Sequence, residues 1–213
     1  MKRLLLYLFL FCFANAVFAQ QEITIHLETA GTLASKLGDN KDKITTLHVS
    51  GSLNGDDLVT INGMLMLHYL DMGNVSDLPE DYIGPETFKG NLHLKEIVFP
   101  PIIKSIYAQT FSGCNNLSKI YLDNVENLEL IGFGAFSSCY SLIDLNLSGK
   151  THLKKIDEQS FNECSNLKRV DLAGCSSLTE ISDLAFNYCK QLTNIDISDC
   201  VNLEIIGDYR GCI

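Results

Sequence analysis

The stretch FSGCNNLSKIYL, residues 111–122, returns three times at intervals of 25 residues. The later copies read FSSCYSLIDLNL (136–147), FNECSNLKRVDL (161–172) and FNYCKQLTNIDI (186–197). The first Phe, the Cys, a Leu and two further apolar positions are kept, while the residues between them change. Because every kept residue is apolar, the repeat indicates a shared core rather than a catalytic motif.

A shorter apolar string, Leu-x-x-Ile-x-Leu, extends this repeat towards the N-terminus. Related strings begin at residues 44, 67, 94, 117, 142, 167 and 192. Their last two apolar residues lie two positions apart, the spacing of a β-strand with one buried face. A single copy cannot bury these side chains, so copies must stack strand on strand and Phe on Phe. The pattern predicts an α/β repeat solenoid with a parallel sheet on one face and short turns and helical fragments on the other.

The N-terminal 19 residues have the pattern of a secretory signal peptide. Lys2 and Arg3 precede an apolar run from Leu4 to Ala14, and small residues follow before Gln20. A basic start, a short apolar run and small residues are the three parts of such a signal. We therefore expect residues 1–19 to direct export and to be removed, leaving a secreted or cell-surface protein.

The mature chain divides into two further segments. Residues 20–66 should form an N-terminal cap with the first repeat, with a strand near Ile23–Leu27 and a short helix near Asp56–Met64. Residues 67–213 should be repeats that end in an incomplete one, because Tyr209 and Cys212 occupy its Phe and Cys positions. A strand edge left open there would allow self-association.

Charge and motifs exclude several classes of function. The formal net charge of −10 becomes −12 without Lys2 and Arg3 (14 basic and 26 acidic residues), so nucleic acid is not an expected partner. After signal cleavage no second apolar run of about 20 residues is left for membrane insertion. The five histidines lack metal-ligand spacing, and no nucleophile elbow or phosphate loop occurs. We predict no enzyme, no cofactor and no metal site.

The pattern resembles the leucine-rich repeats, and among them the BspA-like group of bacterial surface and secreted proteins. The residues that carry this resemblance are the apolar strings with the lead-in Ala-Phe-x-x-Cys-x-x-Leu, as in AFSSCYSL (135–142) and AFNYCKQL (185–192). It extends over residues 21–212. It implies a binding module that adheres to an extracellular or host-surface protein.

The cysteines form two columns along the repeats. One contains Cys114, Cys139, Cys164, Cys189 and Cys212, and the other contains Cys175 and Cys200. In similar repeats, the position of the second column commonly carries Asn or Cys, whose side chain bonds to backbone groups of the loop. We expect buried, unreactive thiols, and disulfides between neighbouring rungs are the alternative in an exported protein.

The outward side chains of the strands are the candidate binding surface. Because side chains alternate along a strand, the residues that flank the buried positions point away from the core. Seven rungs at about 4.8 Å would make a continuous wall roughly 30 Å long. The candidate ligand-binding residues are Tyr69, Asp71, Glu96, Lys119, Tyr121, Asp144, Asn146, Arg169, Asp171, Asn194 and Asp196. Tyr121 and Arg169 stand out, since Tyr and Arg are frequent interface anchors.

Other functions of this surface stay open at this point. A carbohydrate-binding protein of the envelope would need aromatic platforms, for which only Tyr69 and Tyr121 qualify on the wall. A self-assembling scaffold with no small-molecule ligand would use the C-terminal edge as its contact. A column of Asn146, Asp171 and Asp196 could also supply oxygen ligands to calcium.

Overall fold

The computed structural model describes residues 21–79 and 82–208. The predicted signal peptide and the incomplete repeat after residue 208 lie outside the described residues. Each repeat makes one rung of a solenoid, and all strand pairing between rungs is parallel. The predicted repeat solenoid is confirmed.

Two sets of strands run along the solenoid. The first set forms the strand face, which is the side of the predicted wall: β1 (Gln21–Leu27), β2 (Ile44–Ser52), β3 (Tyr69–Asp77), β5 (Glu96–Val98), β7 (Lys119–Tyr121), β9 (Asp144–Asn146), β11 (Arg169–Asp171) and β13 (Asn194–Asp196). The second set has two residues per strand: β4 (Tyr82–Ile83), β6 (Ser105–Ile106), β8 (Leu130–Ile131), β10 (Lys155–Ile156), β12 (Glu180–Ile181) and β14 (Ile205–Ile206). This second set pairs into a six-stranded sheet, in the order β14-β12-β10-β8-β6-β4. Sequence analysis did not predict that sheet.

The segments around Phe-x-x-Cys are the predicted short turns, without the predicted helical fragments. Residues 82–208 contain strands and turns but no helix. The residue two before each Phe and the residue before each Cys have positive φ, as at Gln109 (55°) and Ser138 (60°). Left-handed residues stop a right-handed helix, and two of them in each rung leave no room for one. The second sheet and these turns together form the turn side of the molecule.

The core is a set of side-chain columns that run through the rungs. Phe88, Phe111, Phe136, Phe161 and Phe186 form the Phe column, in which neighbouring rings are stacked with centroids 5.1–5.3 Å apart. All five rings are fully buried. Large buried aromatic rings at offset-stacking distance contribute strongly to stability. The apolar residues kept in each repeat therefore hold each rung to the next.

The N-terminal segment contains the predicted strand and helix. β1 spans Gln21–Leu27, and the helix α2 spans Gly55–Asn62. The side chain of Asn54 caps α2, and Asp57 completes a capping box. A helix that was not predicted, α1 (Leu33–Leu37), and a 3-10 turn (Gly38–Lys43) connect β1 to β2.

The buried Asp57 carboxylate joins these pieces. It accepts hydrogen bonds from the backbone N–H groups of Gly31 (2.6 Å), Leu33 (3.0 Å) and Asn54 (3.1 Å).

Neither α1 nor α2, the α-helices of residues 21–79 and 82–208, has the length and apolar character of a membrane span.

Candidate functional site

The structure places all eleven predicted site residues on the strand face, and none of them is buried. They lie on β3, β5, β7, β9, β11 and β13. Their role in binding a ligand stays a prediction. What the structure adds is how these side chains pair with one another.

Glu96 is the centre of one group on the strand face. Its carboxylate accepts a hydrogen bond from the Tyr121 hydroxyl (2.9 Å) and pairs with the Lys119 ammonium (3.3 Å). The hydrogen bond to Glu96 raises the pKa of Tyr121, and the same carboxylate raises the pKa of Lys119. The exposed side chains of β7 therefore lean back towards β5.

His48 forms a second group that sequence analysis left out of the site. Its Nδ1 lies 2.9 Å from an Asp71 carboxylate oxygen, and its Nε2 lies 3.1 Å from Glu22. The ring of Tyr69 lies beside His48 with centroids 5.7 Å apart. Partial burial is the main cause that raises the pKa of Tyr69. The alternation of β2 already pointed His48 outward, but only the pairing of β1 with β2 brings Glu22 to it.

The remaining predicted residues lie on β9, β11 and β13. The Nε of Arg169 donates to Asp144 Oδ1 at 2.9 Å, and this bond lowers the pKa of Asp144. The exposed Asp144 side chain of β9 therefore leans towards β11. Asn194 is exposed at the start of β13.

Asn146, Asp171 and Asp196 use their side chains to shape the following turns. Their side-chain oxygens accept hydrogen bonds from the backbone N–H two residues further on, at 2.9–3.0 Å. This is the local bond of an Asx turn. Across residues 21–79 and 82–208, no group of three His, Cys, Asp or Glu side chains is arranged to hold a metal ion.

The predicted wall is not continuous, and this corrects the sequence-based expectation. The strand face consists of two sheets, β1-β2-β3-β5-β7 and β9-β11-β13, with no pairing between β7 and β9. At neighbouring steps, Phe99 N–H donates to Tyr121 O (3.0 Å) and Leu147 N–H donates to Asp171 O (2.8 Å). In the part of the chain that the structure describes, the equivalent Leu122 N–H has no such partner on Asn146.

A cleft of about 340 Å³ opens at this break. It is lined by Ser118, Lys119, Ile120, Tyr121, Leu122, Asp123, Ile143, Asp144 and Asn146. Ile120 belongs to the core-facing column, yet it is only partly buried, whereas its counterparts Ile97 and Leu145 are 0% and 1% exposed. The break therefore reaches from the surface into the edge of the core.

Lys150 occupies the space between the two rungs that separate. It stands at the column position of Cys175 and Cys200, whose Sγ atoms donate to backbone carbonyls of the preceding rung at 3.1 Å. Lys150 is 8% exposed, and its Nζ donates to the Asp123 carbonyl at 3.3 Å. A lysine is longer than the cysteines that follow it in this column, and the column residue of the preceding rung is the buried Val125. The sequence shows this departure from the cysteine column as a Lys that lies 25 residues before Cys175.

The same two rungs remain joined on the turn side. Phe111 and Phe136 stack with centroids 5.2 Å apart, and β6 pairs with β8. The Cys139 thiol donates to the Phe111 carbonyl at 3.3 Å. The cleft is thus open on the strand face and closed at the core.

The cysteines are free thiols, as expected, throughout the described residues. Five of the six are buried and Cys200 is partly exposed. The Cys139 and Cys164 thiols donate to the carbonyl of the Phe in the preceding rung. Burial raises the pKa of Cys114 to about 12 and that of Cys175 to about 11. No disulfide forms among these six, and Cys212 lies outside the described residues.

Two other surface features concern the alternative functions, a carbohydrate-binding protein and a self-assembling scaffold. On the turn side, a groove of about 300 Å³ is lined by Tyr140, Glu163, Ser165, Tyr188 and Lys190. Both tyrosines are exposed. At the last described strand, β14, two isoleucines are exposed. Self-association through that edge stays a prediction.

The repeats match a known family. The sequence pattern described as the BspA type leucine rich repeat region matches residues 81–210 in six copies. No curated protein matches the chain significantly.

Several solved structures are similar to this chain. A leucine-rich repeat protein of T. pallidum is 21% identical (TM-score 0.47), with 63% of this chain and 77% of that one covered. One from Bacteroides ovatus is 23% identical (TM-score 0.49; 71% and 42% covered). A leucine-rich cell surface protein from Faecalibacterium prausnitzii is 15% identical (TM-score 0.40; 72% and 54% covered). The chain thus spans less than two thirds of the last two proteins.

Proposed function

The chain belongs to the family of BspA-type leucine-rich repeat proteins, and we propose from this premise that it is an exported module that binds an extracellular or host-surface protein. Proteins of this repeat type generally act in protein–protein interaction, and the finer assignment to adhesion is our own. Export is supported by the signal-peptide pattern of residues 1–19.

The observation that carries the proposal is the chemistry of the strand face. It presents side chains of both charges and two tyrosines on two parallel sheets that meet at the cleft. Protein interfaces have a polar rim around a less polar centre, and Tyr and Arg are frequent anchors. Here the cleft between β7 and β9 offers the less polar centre, and the charged pairs on either side offer the rim.

The test is binding of residues 20–213 to a panel of purified extracellular matrix proteins. The double variant Tyr121→Ala/Arg169→Glu changes one anchor on each side of the cleft. Tyr140→Ala is the matched control, because it removes an exposed tyrosine from the turn side of a neighbouring rung. We expect saturable binding to at least one protein, weakened about tenfold or more by the double variant, which corresponds to about 1.4 kcal/mol.

Unchanged binding by the double variant would place the site away from the strand face. Absence of any protein ligand, with glycan binding instead, would contradict the proposal in favour of a carbohydrate-binding protein. The turn-side groove favours that second candidate, since Tyr140 and Tyr188 flank polar side chains there. Tyr140→Ala would then be the variant that loses binding.

A further inference from the structure

We propose that the cleft between β7 and β9 binds an extended peptide segment that carries a Lys or Arg beside Asp123. The inference rests on the proposed function, because it takes the strand face as the binding surface. It goes further in naming the contact: a short extended stretch of the partner pairs with the two open strand edges.

The first argument is the backbone of the two edges. At other steps, Ser118 N–H donates to Lys95 O (2.8 Å) and Lys168 N–H donates to Ile143 O (2.8 Å). At the cleft, neither Ile143 N–H to Ser118 O nor Leu122 N–H to Asn146 O occurs within residues 82–208. Main-chain donors and acceptors need partners, and an extended peptide supplies both at strand spacing.

The second argument is the shape and polarity of the cleft walls. Ile120, the Tyr121 ring and Ile143 form apolar surface between the two edges. A volume of about 340 Å³ is at the lower end of ligand sites, so it suits a short stretch of peptide rather than a long segment. β7 and β9 each have three residues, which sets the length of the paired segment.

The third argument is charge. Lys119 pairs with Glu96, and Asp144 pairs with Arg169, so both are already neutralised. Asp123 also lines the cleft and is exposed, and its carboxylate forms no ion pair within residues 21–79 and 82–208. Among the residues that line the cleft, the exposed charge left without an ion pair is therefore negative, and it lies beyond the C-terminal end of β7. The Lys150 ammonium, which donates to the Asp123 backbone carbonyl at 3.3 Å, belongs to a buried residue and does not line the cleft. A basic side chain of the peptide complements the Asp123 carboxylate.

The fourth argument is that Lys150 gives the cleft an identifiable cause. Its buried side chain lies where a cysteine joins the next two rungs. Lys150→Cys restores that column and should let β7 pair with β9, which removes the binding edges without touching an exposed residue.

The experiment is a selection from a positional-scanning library of capped hexapeptides on residues 20–213. The same selection is run on Lys150→Cys, Asp123→Lys and Tyr140→Ala. We expect sequences with alternating apolar residues and a basic residue near one end. The best peptide should bind Lys150→Cys about tenfold more weakly or worse and Tyr140→Ala equally well. Asp123→Lys should reverse the preference to acidic peptides, which tests the site even if Lys150→Cys does not fold.

Backbone pairing is tested with the selected peptide N-methylated at alternate amides. Loss of binding on methylation, with new exchange protection of the Leu122 amide by the unmethylated peptide, is the expected result. Equal binding of the methylated peptide, equal binding by Lys150→Cys, or no peptide enriched on the wild-type chain would overturn the inference. Retained binding of a matrix protein in any of these cases would leave the proposed function standing, and loss of both would reject both.

Discussion

The step from β7 to β9 behaves differently on the two sides of the molecule. On the strand face, the strands are unpaired, the side chains of each edge turn to their own neighbours, and a cleft opens. On the turn side, the same two rungs are joined by a stacked Phe pair, a thiol-to-carbonyl bond and paired strands. The contacts on the strand face can therefore be absent while those on the turn side of the same two rungs are intact.

The difference reflects the kind of contact on each side. The turn side buries apolar side chains that repeat in every rung. Its stabilisation is therefore large and does not depend on the orientation of individual contacts. The strand face is joined by backbone bonds and exposed ion pairs, which are worth little individually in water. Variation is thus tolerated on the face that is proposed to bind, while the turn side holds the rungs together.

Removal of a ring from the Phe column should cause the largest loss in the free energy of unfolding. Phe136→Ala deletes the fully buried ring that stacks on both Phe111 and Phe161, and we expect a loss of about 3–5 kcal/mol in the free energy of unfolding. Tyr121→Ala, on the strand face of the same step, should cost about 1 kcal/mol. Urea unfolding followed by circular dichroism compares the two. Equal losses would contradict the division between the sides.

Amide exchange should reveal the break directly. Leu122 and Leu147 are both buried, but only Leu147 N–H has a backbone partner in the next rung, at 2.8 Å. We expect the Leu122 amide to exchange at least about a hundredfold faster than that of Leu147. Hydrogen exchange by NMR measures both in one sample. In Lys150→Cys, the two rates should approach each other, and similar rates in the wild type would argue against an open edge.

Stability should fall at alkaline pH because of the buried thiols on the turn side. Burial raises the pKa of Cys139 well above its ordinary value, whereas in the unfolded chain a thiol ionises near pH 8.5. Above that pH the unfolded state binds fewer protons than the folded state, so unfolding becomes easier, by up to about 1.4 kcal/mol per pH unit for each such thiol.

Urea unfolding at pH 7.5, 8.5 and 9.5 under reducing conditions measures how the free energy of unfolding changes with pH. Cys139→Ala should reduce the loss between pH 8.5 and 9.5 by about 1 kcal/mol relative to the wild type, apart from its constant cost. An unchanged slope in this variant would mean that the thiol ionises in the folded protein.

The smallest effect is expected from the exposed pair on the strand face. Arg169→Ala should leave the unfolding free energy close to that of the wild type, because both side chains are largely in water. The pKa of Asp144 should nevertheless rise towards its ordinary value once the Arg169 bond is lost. Since that pKa is now lowered, the pair's small contribution is present at neutral pH and is lost as the pH falls through it. A carboxyl titration by NMR resolves this shift, and no change would show that the pair is not formed in solution.

Much of the molecule followed from the period of the sequence. The strands, the Phe column, the buried thiols and the outward position of residues such as Tyr121 were all predictable from apolar spacing. The second sheet was not, because strands of two residues leave no alternation to detect. The left-handed turns were also hidden, since positions such as Gln109 and Ser138 carry residues with no preference for positive φ.

The candidate site was predicted only in part, for a related reason. Alternation identifies which side chains face outward, but the partners of Glu96, His48 and Arg169 lie 23–26 residues away on other strands. Whether neighbouring strands pair at a given step depends on the volume between rungs. Lys150, which lies outside both strands, is buried and donates to the Asp123 carbonyl of the preceding rung.

The sequence by itself determined the repeat, the faces of the strands and the columns that fill the core. These depend on local alternation and on a period that places like residues above one another. Only the tertiary structure decided that the strand face divides between β7 and β9 and that its charged residues form separate groups. Register between rungs and the fit of one buried side chain arise from contacts across about 25 residues, where packing rather than local pattern sets the geometry.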